Sequence, residues 1–157
     1  MDQTNLYKAL TEIQLRQNNN RITVKGVSME PIISSGDQVV LEKAESYRIG
    51  DIVTAFDQKG RLLTHRIVRM KKDMWYIKGD HAVAVESVDP KDCFGRVVTI
   101  IRDDGTEQKV SYGLKSILIV FLSLKMHKRF LVVKNTEQVF KGRYYKWICM
   151  LSKHRIK

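Results

Sequence analysis

The feature that most constrains the fold is a run of short alternating segments between Arg21 and Arg102. Polar and apolar side chains alternate in segments near 21–25, 37–43, 51–56, 61–70, 74–78 and 94–102. A period of two buries one face of an extended strand and leaves the other to solvent. Turn residues separate the segments at Ser34-Ser35-Gly36, Gln58-Lys59-Gly60 and Lys71-Lys72-Asp73. Asp103-Asp104-Gly105 can join the last strand to a partner over 106–111. Many short strands without intervening helices predict a coiled antiparallel sheet or partial barrel.

The flanks change period. Leu6, Leu10 and Ile13 recur at helical spacing, so residues 3–17 are expected to form a short amphipathic helix, ended by Asn18-Asn19-Asn20. From Gly113, Leu114, Ile117, Leu118, Phe121 and Leu122 cover one wide face, with Ser116 and Ser123 on the opposite one. A second C-terminal helix is expected around 136–153, carrying Tyr144, Tyr145, Trp147, Ile148 and Leu151 among basic residues. The expected fold class is therefore mainly β with a helical C-terminal appendage, α+β overall. It divides into an N-terminal helix (1–20), a β domain (21–112) and a basic helical segment (113–157). A chain of 157 residues is long enough to bury one real core.

Charge separates the same regions. Residues 1–108 hold 16 Lys+Arg and 16 Asp+Glu, whereas residues 109–157 hold 12 Lys+Arg and one acid, Glu137. The whole net charge of +11 thus belongs to the C-terminal third. A balanced body with a basic tail predicts chemistry in one part and attachment in the other. The tail has no aromatic stacking pattern on strands and no recognisable DNA-binding motif, so nucleic acid is a weaker partner than an anionic membrane surface; equally open is that the apolar face covers the β body and the basic residues are merely solvated. Cys93 and Cys149 make neither a disulfide framework nor a metal-ligand spacing, and no metal or cofactor is expected. Met1 to Asn20 is polar and lacks an apolar run, and no run reaches the roughly 18 residues of a membrane span. The expected location is cytoplasmic or peripheral at a membrane surface.

The chemistry centres on Lys25-Gly26-Val27-Ser28-Met29-Glu30-Pro31. A strand leads into it, Gly26 frees the backbone, and Pro31 stops any regular element. Ser28 is placed on an exposed bend, its hydroxyl beside its own N–H: a nucleophile next to an oxyanion donor. The plainer reading is a polar turn with a capping serine. Gly26 to Pro31 resembles the nucleophile box of the signal peptidase I family and its LexA-like relatives. The resemblance continues in order through Gly36-Asp37, Gly50-Asp51-Ile52-Val53, Thr64-His65-Arg66-Ile67-Val68, Lys78-Gly79-Asp80 and Gly95-Arg96-Val97, over about residues 21 to 100.

That resemblance implies roles. Most bacterial members use a lysine base, whereas a second branch has histidine, and His65 is similar to the latter. Strand alternation puts Leu63, His65 and Ile67 on one face, with Arg66 and Val68 on the other. An imidazole with an ordinary pKa of about 6.5 is a competent base near neutrality; the alternative is a hydrogen-bonded core histidine. The histidine branch implies Asp80 as the partner of His65, with Glu86 or Asp89 as a nearby second acid; the other role for Asp80 is a turn residue after Gly79. His81 is adjacent, and the strand before it is expected to direct its ring elsewhere. Met29 is implied to pack beside a substrate pocket. Many members add a hydroxyl two residues before the nucleophile; here Gly26 stands there.

The expected function is a serine endopeptidase that cuts a leader or signal-type peptide through an acyl-enzyme. The alternatives are a LexA-like self-cleaving regulatory module, which uses lysine and carries a DNA-binding segment, and a non-catalytic protein binding a membrane surface. Family members usually carry a membrane-spanning helix, often before the nucleophile box, and this chain shows none there.

Overall fold

Eight strands pair into one antiparallel sheet in this computed structural model, which describes residues 3–152. They are β1 (Arg21–Thr23), β2 (Gln38–Glu42), β3 (Ile52–Phe56), β4 (Leu62–Lys71), β5 (Met74–Lys78), β6 (Glu86–Val88), β7 (Cys93–Ile101) and β8 (Glu107–Lys109). The strand order is β1-β2-β7-β3-β4-β5-β6, with β8 paired to β7 off this path. The sheet curls into a half-barrel with helices at its C-terminal end, as the alternating pattern predicts. Register shifts at Val40/Leu41, Thr54/Ala55 and Ile67/Arg69 help to bend it, because an extra residue in one strand sharpens the local twist.

The curl is driven by burial on both faces. Ile52 joins a cluster with Val24, Met29, Ile33, Val39, Leu41, Val97 and Ile100, while its neighbours Val53 and Ala55 join Ile67, Trp75, Ile77 and Val88. All five residues of β3 are consequently buried. Each large aliphatic side chain so removed from water contributes roughly 1.5–3 kcal/mol.

The helices are α1 (Gln3–Gln17), α2 (Leu114–Val133), α3 (Thr136–Phe140) and α4 (Arg143–Ser152). α1 has the expected bounds but a different buried face. Thr11 and Leu15 are buried, while Leu6, Leu10 and Ile13 remain about half exposed. The single helix expected over 136–153 is two. Asn135 caps α3 by accepting from the Gln138 N–H, and Gly142 N–H closes a tight turn on the Val139 carbonyl before α4 begins. The break lets α3 and α4 fold back on α2, enclosing a third cluster of Ile119, Leu122, Met126, Val139 and Ile148.

Candidate active site

The bend holding Ser28 follows from Gly26, whose φ of +92° lies where only glycine is unstrained. After it, the Ile32 and Ile33 N–H groups both donate to the Met29 carbonyl, turning the chain back into the core. Asp37 fixes the far end, accepting from the Ser34 N–H at 2.8 Å and from Arg102 Nη1 at 2.6 Å. Ser28 is left half-buried at the rim. Its N–H donates to no acceptor among the described residues, so it is free for an oxyanion.

β4 carries His65 toward this bend, paired with Val53 of β3. His65 is 4% exposed, and its Nε2 lies 2.9 Å from Ser28 Oγ. On the other side of the ring, Nδ1 lies 3.3 Å from Glu86 Oε2, on β6. The pair is close but not aligned as a hydrogen bond, and neither atom has another partner among the described residues. Two buried polar atoms in that position are each other's only means of satisfaction. If Nε2 accepts the Ser28 proton, Nδ1 must carry a hydrogen, and only Glu86 is there to receive it. Burial alone would raise the Glu86 pKa; bonding to and charge from His65, with Arg61 beyond, outweigh it and hold the carboxyl below its ordinary range.

Gly79 makes this approach possible. A Cβ built there would stand 2.4 Å from the Ser28 carbonyl oxygen and 3.1 Å from His65 Nε2. No side chain fits there without shifting Ser28 or the imidazole.

Asp80 does not meet the expectation that it orients His65. Its two oxygens accept from Arg66 Nε at 2.9 Å and Arg66 Nη2 at 2.6 Å, with both side chains 1% exposed. The reason is strand alternation. Arg66 faces away from His65, its register partner is Lys78, and Asp80, two residues on, falls on that same face. Arg66 Nη1 also donates to the Gly50 carbonyl at 2.9 Å. Burial would depress the Arg66 pKa, but Asp80 more than offsets it, and the guanidinium stays charged. Asp89, the other expected acid, instead caps a 3-10 turn by accepting from the Lys91 N–H. Met29 is 1% exposed within the first core cluster, so its side chain is core packing rather than the wall of a pocket.

The sealed face holds a further buried cation. Lys78 Nζ donates to Ser123 Oγ of α2 at 2.6 Å and to the Gly79 carbonyl at 3.1 Å. Burial lowers its pKa to about 8, partly offset by Asp80 and Glu86. Such a lysine has the pKa of a base but faces a helix instead of Ser28. The alternation that puts His65 inward also puts Arg66 and Lys78 on the opposite face, where buried cations need acceptors; that signal points to Asp80 and to the serines of α2.

A curled antiparallel sheet with a serine, a histidine and a carboxylate in line at one rim is an arrangement suited to nucleophilic acyl transfer on a peptide. Residues 3–98, more than half of the chain, match the family described as Peptidase S24-like, and the chain belongs to it. The family is one of serine peptidases, so the substrate class is peptide or protein. The match takes in Ser28, His65 and Glu86 and ends before α2–α4. No curated protein matches the chain. No helix among the described residues is long and apolar enough to cross a membrane.

Proposed function

We propose that this protein is a serine endopeptidase similar to signal peptidase I of the histidine branch, cleaving a leader or signal-type peptide. Ser28 Oγ attacks the scissile carbonyl carbon while His65 Nε2 takes the hydroxyl proton. The Ser28 N–H holds the oxyanion. Collapse expels the amine, which takes the proton from His65, and leaves an ester on Ser28. Water, deprotonated by the same imidazole, then releases the acid. Glu86 holds the Nδ1–H tautomer and balances the transient imidazolium. The observation that carries the reading is the 2.9 Å Ser28–His65 contact backed by Glu86 at 3.3 Å.

The test is acylation of full-length protein by a fluorophosphonate probe with mass mapping. Label on Ser28, absent in Ser28→Ala and in His65→Gln at unchanged melting temperature, is expected. A folded protein that takes no label, or takes it elsewhere, overturns the assignment. The family also supports self-cleavage, which would appear as two fragments in the intact mass of an incubated sample.

The same reading puts the enzyme at an anionic membrane surface. On α2, Leu114, Ile117, Leu118 and Phe121 are exposed beside Lys115, Lys125 and Lys128, and Lys125 sits over the Phe121 ring. An apolar stripe with a cationic rim suits a helix lying in an interface.

A further inference from the structure

The segment that brings Gly79 against the site runs on to His81, whose N–H donates to the Ser28 carbonyl at 2.8 Å. The nucleophile is thus tied by its own backbone to residues 79–81. Arg66 of β4 holds Asp80 from the sheet side, and the C-terminal helices hold His81 from the other. The His81 ring stacks on Tyr145 of α4, with centroids 4.7 Å apart and planes at 19°, and meets the edge of Phe140 at the end of α3 at 4.4 Å. Phe140 and Tyr145 brace each other edge-on at 5.2 Å. His81 Nδ1 lies 3.7 Å from Glu30 Oε2, two residues past the nucleophile. Beyond it, the Val83 carbonyl lies 2.7 Å from Nδ1 of His127 on α2, and Val83 packs into the helical core.

We propose that α3 and α4 are positioning elements of the active site: Phe140 and Tyr145 fix the His81 ring, and His81 fixes Ser28 relative to His65. This rests on the peptidase reading above and adds to it a part of the chain that the family match leaves out. The geometry requires the coupling. Ser28, His65 and Gly79 are packed so closely that a shift of the 79–81 segment must change the Ser28–His65 approach. An error of about 1 Å in a reacting group costs up to about a hundredfold in rate.

The experiment compares full-length wild type, Tyr145→Phe and Tyr145→Ala in three measurements. These are the rate and half-saturation of Ser28 acylation by the fluorophosphonate, the melting temperature, and amide hydrogen exchange at His81. Tyr145→Phe keeps the stacked ring and is expected to behave as wild type. Tyr145→Ala is expected to acylate about tenfold more slowly at unchanged half-saturation, with faster His81 exchange and a folded protein throughout. Wild-type acylation and wild-type His81 protection in Tyr145→Ala would overturn the proposal, as would an equal loss in Tyr145→Phe. If Tyr145→Ala does not melt cooperatively, Phe140→Leu removes the ring edge while keeping a branched apolar side chain against the helical core, and the same direction of change is expected of it. Should wild type take no label, the peptidase reading fails on that result. His81 exchange then decides the clamp by itself, and unchanged protection overturns it.

Discussion

β4 carries two polar clusters, one on each face, and they are built in opposite ways. On the Arg66 face, each buried cation has hydrogen-bond acceptors in place. Asp80 takes the guanidinium with both oxygens, Gly50 takes a third donor, and Ser123 receives Lys78 under the roof of α2. On the His65 face, Nδ1 and Glu86 Oε2 are close but unaligned, and the Ser28 N–H is unspent among the described residues. A cluster that holds a fold together satisfies its groups in the resting state. On the proposed peptidase reading, the His65 cluster keeps capacity for the charge that appears in the transition state. One strand supports both because its side chains alternate.

Exchanging the acids is the sharpest way to break this comparison. Glu86→Gln cannot balance an imidazolium and fixes the wrong tautomer, so acylation is expected to fall about 10²–10⁴-fold with little change in stability. Kinetics and thermal melting on the same samples check it; a stable protein with normal turnover would return Glu86 to the surface. Asp80→Asn should do the converse. Removing one partner of a buried pair leaves an uncompensated charge and costs about 3–5 kcal/mol, read by urea unfolding, with a smaller loss of acylation per folded molecule than in Glu86→Gln.

Lys78 gives the next effect, through pH. Its folded pKa is about 8 against an ordinary 10.5. Below pH 8 both states carry the proton, and the folded state bears the full cost of the buried charge. Between 8 and 10.5 the unfolded chain binds more protons, so stability should rise with pH, by at most about 3 kcal/mol. Urea unfolding from pH 7 to 10.5 measures the slope, and Lys78→Met is expected to flatten it. A slope unchanged in that variant would mean another group is titrating.

The smallest expected effect is at the tail. Each basic residue near an anionic bilayer contributes about 1 kcal/mol, screened by salt. Full-length protein should co-sediment with anionic vesicles at low salt and be released at high salt, and neutral vesicles should not retain it. Protein that stays in the supernatant under all conditions removes the membrane surface from the reading.

What the sequence makes legible follows from range. The strands, the bend at Gly26 and the inward face of His65 depend on neighbours within a few residues, and alternation reports them. Asp80 and Met29 depend on distant partners. The role implied for Asp80 misses that Arg66, also buried, claims the carboxylate. Met29 follows a serine at a rim, yet the turn that exposes Ser28 sends the next side chain into the core. β6 has only three residues and no alternation to reveal it, so Glu86 stands in the sequence as one of two acids in a loop. On α1, the apolar spacing predicts the helix but not its buried side, because Lys8 binds Asp92 and turns Thr11 and Leu15 toward the sheet.

The place of β7 has a consequence in time. Among the described residues it is the only strand that joins β1-β2 to β3-β4-β5-β6, and it is nearly the last strand of the sheet to be synthesised. Val39 must wait for Ile100, and Val53 for Arg96. A nascent chain can form the β3–β6 meander locally, but β1-β2 is not joined to it until residues beyond 93 have left the ribosome. Contacts so far apart in sequence close slowly, in milliseconds to seconds rather than microseconds. The rim carrying Ser28 therefore belongs to one piece, and His65 to another, until a single late strand splices them.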